Sequence, residues 1–184
     1  MLLGHPSCGG YVDDQFSFGY DLLARVNIFL KYATETTALP EDVKSRMVAE
    51  AKFFRGYAHM WLYMFYGSVP VILAPLTLDE QYVPKSSAEE VYAQVIKDYD
   101  DAIAGLPKTT YKDAGGHITS DAAKAFKAKV MLQHAYDKGV PKIDEMNQIL
   151  SLLESINGYS LLKGLHVQVA ETCSGLLHRK TAPR

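Results

Sequence analysis

Residues 41–66, EDVKSRMVAEAKFFRGYAHMWLYMFY, set the hardest constraint on this chain. They read as one helix. Pro40 suits its first turn, Glu41 and Asp42 sit at its positive end, and Gly67 and Pro70 stop it. Its apolar residues almost encircle the axis, so it must be buried against neighbours on several sides. A membrane is not one of them: the apolar run from Ala58 to Leu73 is too short for a span and is broken by Gly67 and Pro70.

The rest of the chain supplies helical neighbours. Leu22, Leu23, Val26, Phe29 and Leu30 keep a 3.6-residue period over a first helix from about Phe16 to Ala33. After the second helix, VPVILAPLTL reads as an extended crossing segment. Ser86 or Ser87, with Glu89 or Glu90 three residues on, forms a capping box for a third helix, which Pro107 ends. A fourth helix starts near Thr119 or Ser120 and runs to Gly139. A fifth spans about Asp144 to Ile156 and ends at Asn157-Gly158. No segment alternates as a strand would. The expected class is therefore all-α, an antiparallel helical-repeat stack; Ala122 and Phe126 have the spacing of a degenerate tetratricopeptide second helix. Residues 1–15 are expected to be irregular and 16–162 to form the helical domain. Residues 163–184, which lack a clean period, are expected to be a divergent, disordered tail.

Composition removes several functions. A net charge of -2 gives phosphates no basic stripe to meet, so nucleic acid is not an expected partner. Cys8 and Cys173 stand near opposite ends without CxxC spacing. His59, His117 and His134 are scattered, so neither a metal nor another cofactor is expected. Ser7 and Ser68 lack a nucleophile elbow, and no acid, base and nucleophile come together; an enzyme is not expected. GYVDDQ lacks EF-hand spacing and reads as a solvated turn. No export signal is expected from MLLGHPSCGG, in which His5 and Pro6 stand where a lipoprotein cleavage box needs small residues.

Within the second helix, Arg55 and Lys52 can bury their stems while their charges pair. Asp98 and Asp101 of the third helix are the expected partners, in a structural role. Gly56 is expected where another helix comes close. Trp61, Tyr63 and Tyr66 are expected in the core. Tyr11, Phe16 and Phe18 crowd a polar stretch ahead of the first helix, where burial is less assured.

Five blocks in order carry a resemblance from about Tyr20 to Leu162: RVNIFL, AEAKFFRGYAHMWLYMFYGSVPVI, VPKSSAEEVYAQVIKDYDDAIAGLP, GHITSDAAKAFKAKVMLQHA and INGYSLL. Together the chain resembles the SusD/RagB family of Bacteroidetes outer-membrane nutrient-binding lipoproteins. It departs at Ala49, usually Gly in that family, at Gly56, usually Ala, and at His117, usually Arg. The resemblance implies a non-catalytic glycan-binding protein on the outer-membrane surface that works with a TonB-dependent SusC-type transporter in polysaccharide uptake. It also implies that Tyr11, Phe16 and Phe18 are candidates to stack on sugar rings, whose C–H faces are apolar. Family members are usually several hundred residues long, with a signal peptide, a lipid-bearing Cys and a large C-terminal half. This chain is thus expected to be an incomplete, truncated copy that holds glycans weakly. The alternative is a helical-repeat protein–protein interaction scaffold without sugar binding.

Overall fold

Pro40 and Gly67 bracket the central helix of the computed structural model, which describes residues 9–80, 82–108, 116–137 and 139–158. Five α-helices follow in order: α1 (Gly9–Glu35), α2 (Glu41–Tyr66), α3 (Ala88–Gly105), α4 (Ser120–Asp137) and α5 (Ile143–Glu154). A single 3-10 turn at Leu78–Glu80 lies between α2 and α3, and no strand occurs among the described residues. The expected tail at 163–184 lies outside the described residues.

Local chemistry explains most boundaries. Gly67 takes φ 67°, which a side chain would resist, and its N–H closes α2 on the Tyr63 carbonyl at 2.8 Å. Ser87 caps α3 reciprocally with Glu90: the Ser87 hydroxyl accepts from the Glu90 N–H, and the Glu90 carboxylate accepts from the Ser87 N–H at 2.8 Å. Thr119 Oγ1 accepts from the Ala122 N–H at the start of α4.

The first helix corrects the sequence reading. It begins at Gly9 rather than Phe16, so residues 9–15 are helical, and GYVDDQ is part of a helix instead of a turn. No proline interrupts the segment. A tertiary bond from the Trp61 indole N–H to Gln15 Oε1, at 3.0 Å, ties this extra length to α2. At the other end, α5 runs Ile143–Glu154, one residue earlier at its start and two shorter at its finish than its period suggests.

Consecutive helices pack on one another, and α2 also reaches α4. The register is antiparallel. Gly19 sits against Leu62 while Val26 and Leu30 lie with Val48 and Ala51; Tyr92 faces Tyr63 while Gly105 faces Ala49. The all-round apolar surface of α2 is thereby used on three sides. Its Phe53 and Tyr57 take the Phe126 ring of α4 edge-on at 5.4 and 5.6 Å. Leu62, Ala58, Val91, Val95, Tyr99 and Ala123 form the fully buried centre. Among the described residues, no helix is long and apolar enough to cross a membrane.

Candidate functional site

Residues 67–77, the first part of the segment that crosses from α2 to α3, have no regular structure, so their backbone groups must find partners elsewhere. Side chains from two helices supply them. Tyr20 of α1 donates to the Pro70 carbonyl at 3.0 Å, and Asn27 Nδ2 donates to the Ile72 carbonyl at 2.9 Å. From α2, His59 Nε2 accepts the Ile72 N–H at 3.4 Å, and Arg55 Nη1 donates to the Leu73 carbonyl at 3.3 Å.

Arg55 is itself anchored by α3. Its Nε and Nη2 fork onto Asp98, with Nη2 to Oδ1 at 2.7 Å; the Asp98 side chain is fully buried and that of Arg55 only 12% exposed. Gly56 makes this approach possible, since a methyl there would stand 3.1 Å from Asp98 Cβ. Lys52 pairs with Asp101 one turn away, at 2.8 Å and closer to solvent. Burial pushes the neighbouring His59 down to about 4. The Arg55 charge adds to that lowering and Asp98 opposes it, so the imidazole is neutral and can accept the Ile72 N–H. Burial also raises Tyr20 to about 12, which keeps its phenol a donor. Arg55, backed by Asp98, thus belongs to a clamp on the crossing segment, and the Lys52–Asp101 pair lies beside it.

The aromatic candidates lie elsewhere, at the end of the stack where α1 starts and α2 finishes. Phe16 and Phe18 are in α1, 42% and 49% exposed. The Phe16 ring stands 4.7 Å from Tyr20 and edge-on to Tyr66 at 5.4 Å. Phe18 meets Trp61 edge-on at 6.2 Å, and Trp61 continues to Phe65 at 5.0 Å, itself half exposed. Phe18, Trp61 and Phe65 therefore form one contacting row with partly open faces, whereas Phe16, two residues from Phe18 on α1, packs instead with Tyr20 and Tyr66. Trp61 and Tyr66, expected in the core, are only half-buried, whereas Tyr63 is buried. Tyr11 lies in α1, and its side chain is outside the described part of the structure.

Other polar groups belong to packing. His117 Nδ1 meets Glu50 at 2.8 Å, linking the start of α4 to α2. His134 stacks on Tyr92 at 3.7 Å, its Nδ1 is 2.9 Å from the Tyr63 hydroxyl, and its Nε2 is 3.6 Å from Glu89. No group of three His, Cys, Asp or Glu that could hold a metal occurs among the described residues.

Sequence reasoning missed Trp61 and Phe65 as surface residues and Asn27 as a clamp. The i, i+4 spacing of Trp61 and Phe65, in register with Phe18, is the signal that could have exposed the first two.

Comparison with known proteins places these features in a family. The model of a SusD-like family, described as starch-binding and associating with the outer membrane, matches residues 8–132. A SusD-like protein of Formosa agariphila is 24% identical over 123 residues, which are 66% of this chain and 23% of that protein. Among solved structures, a SusD-like protein from Bacteroides fragilis superposes with a TM-score of 0.68 at 27% identity, covering 83% of this chain and 28% of the other. A laminarin-binding SusD-like protein gives 0.68 and 27% as well, over 78% of this chain and 29% of its own. The chain thus spans under a third of the length of these relatives.

Proposed function

The chain belongs to the SusD-like family, and from that premise we propose that it is a non-catalytic glycan-binding module of the outer-membrane surface. It serves polysaccharide uptake beside a TonB-dependent transporter of the SusC type. The observation that carries the reading is the open aromatic face of Phe18, Trp61 and Phe65. Such a face suits a sugar ring, whose axial C–H groups stack on π-systems while its hydroxyls stay wet. The polar clamp around Arg55 serves this role indirectly, by holding α1, α2 and α3 in one register. A structural neighbour at 27% identity binds laminarin, which makes β-glucan oligosaccharides the first ligands to try.

Trp61 is the chain's single tryptophan, so it reports on this face directly. Titration with laminarin oligosaccharides is expected to give a saturable change in Trp61 emission. The change is expected to be lost in Phe18→Ala together with Phe65→Ala. Absence of any saturable change across β-glucan, α-glucan and xylan oligosaccharides would leave the helical-repeat interaction scaffold as the better reading.

A further inference from the structure

Trp61 spends its one polar group inside the protein. Its indole N–H donates to Gln15 Oε1 at 3.0 Å, so the donor that a tryptophan can offer a ligand is already engaged. The same bond sets the orientation of the amide. An indole nitrogen only donates, so the Gln15 oxygen must face it and the Gln15 NH2 group must turn away. Because the amide is planar and anchored through its oxygen, its nitrogen stays at the rim of the Trp61 ring.

Gln15 and Phe18 stand three residues apart on one face of α1, and both meet Trp61. Phe65 lies one turn further along α2, its ring 5.0 Å from that of Trp61. The amide thus borders the row of Phe18, Trp61 and Phe65. Gln15 Nε2 has no hydrogen-bond partner among the described residues, yet it is not sealed in. The buried polar atoms left without a partner are Asn27 Oδ1 and His59 Nδ1, whereas Gln15 is only half-buried and its nitrogen reaches solvent. An open aromatic row is thereby edged by two N–H donors of fixed orientation that no described protein group uses. A sugar matches both parts, its C–H face on the rings and an oxygen at the rim. An apolar side chain of a protein partner would cover the donors without satisfying them.

We infer that Gln15 is the hydrogen-bond donor of this face. Its Nε2 donates to a hydroxyl or ring oxygen of the sugar stacked on Trp61, and so fits the row to a sugar over a plain apolar group. The inference rests on the glycan reading of the aromatic face and supplies the polar contact that stacking alone lacks.

The test is an NMR titration of the isotope-labelled 184-residue chain with laminarihexaose, or with the α-glucan or xylan oligosaccharide if that is the one to which Trp61 responds. The Trp61 indole N–H and the NH2 pair of Gln15 are followed together. One proton of the Gln15 pair is expected to move downfield saturably, with the dissociation constant that Trp61 reports, while its geminal partner moves far less. Mere proximity of a sugar would shift both. Gln15→Met keeps the length of the side chain and removes the amide. It is expected to weaken binding by about fivefold while the nuclear Overhauser contacts between Trp61 and Phe65 persist. If those contacts change in the variant, the geminal pair of the unsubstituted chain decides the matter. Saturable movement of Trp61 with both Gln15 protons still, or shifted equally, would overturn the assignment and leave the glycan reading standing. So would unchanged affinity in Gln15→Met. No response of Trp61 to any of the three glycans would remove the glycan reading, and this assignment with it.

Discussion

Gly105 and Ala49 meet across the α2–α3 interface so closely that a methyl group on Gly105 would lie 2.6 Å from the Ala49 Cβ. Neither side can give way by rotating a side chain. Gly105 is what accommodates the Ala49 methyl here. Gly105→Ala is therefore expected to destabilise the chain by about 1–3 kcal/mol through overpacking, despite alanine's better helix propensity. Combining it with Ala49→Gly should recover part of that loss. Thermal unfolding of the two single variants and the double variant checks this, and purely additive effects would count against the contact.

Arg55 and Asp98 form a forked pair in which the carboxylate is fully buried. Replacing Asp98 by Ala strands the guanidinium beside the neutral His59 and is expected to cost about 3–5 kcal/mol. Replacing Arg55 by Met should cost a similar amount, since it strands the carboxylate and frees the Leu73 carbonyl. The double variant should be more stable than the sum of the single losses implies. Chemical denaturation of all three measures that coupling.

Acid sensitivity follows from His59, whose folded value is pushed down to about 4 from an ordinary 6.5. The unfolded chain takes up a proton below about 6.5 that the folded chain refuses until about 4. Stability is thus full above 6.5 and falls as pH drops through that window, by on the order of 3 kcal/mol in total. His59→Gln should flatten this component of the pH profile. An unchanged slope in the variant would assign acid sensitivity to other groups.

Glycan binding to the aromatic face is expected to be weak. The exposed rings contribute on the order of 1 kcal/mol each, and Phe18 and Trp61 meet edge-to-face instead of forming one flat platform. Calorimetry should therefore give dissociation constants in the millimolar range for laminarin oligosaccharides. Micromolar binding would mean that a better site than this face exists on the chain.

Much of the fold was legible because its signals are local. The bounds of α2 follow from Pro40 and Gly67, and the start of α3 from the Ser87–Glu90 box. Arg55 and Asp98 were legible as a pair because charges on two helices that must be buried have few places to go. The start of α1 was not, since the polar run GYVDDQ reads as a turn and is held in the helix by the distant Trp61–Gln15 bond. Nor was the aromatic face: on a helix apolar nearly all round, only the positions of neighbours decide which side remains open. Asn27 was unreadable for a different reason. Its partner is the Ile72 carbonyl, and a backbone group leaves no mark in the sequence.

The crossing segment has a kinetic meaning. Its anchors come from residues 13, 18, 45 and 50 positions away. The Tyr20 and Asn27 bonds close only when α1 lies beside α2, and the Arg55 anchor is set only when α3 delivers Asp98. Docking of residues 70–73 is thus a late event that registers the joint arrival of three helices. The Ile72 amide is the natural place to watch it. Its hydrogen exchange reads the assembly of the stack as a whole, whereas amides inside any one helix also read that helix's own fraying.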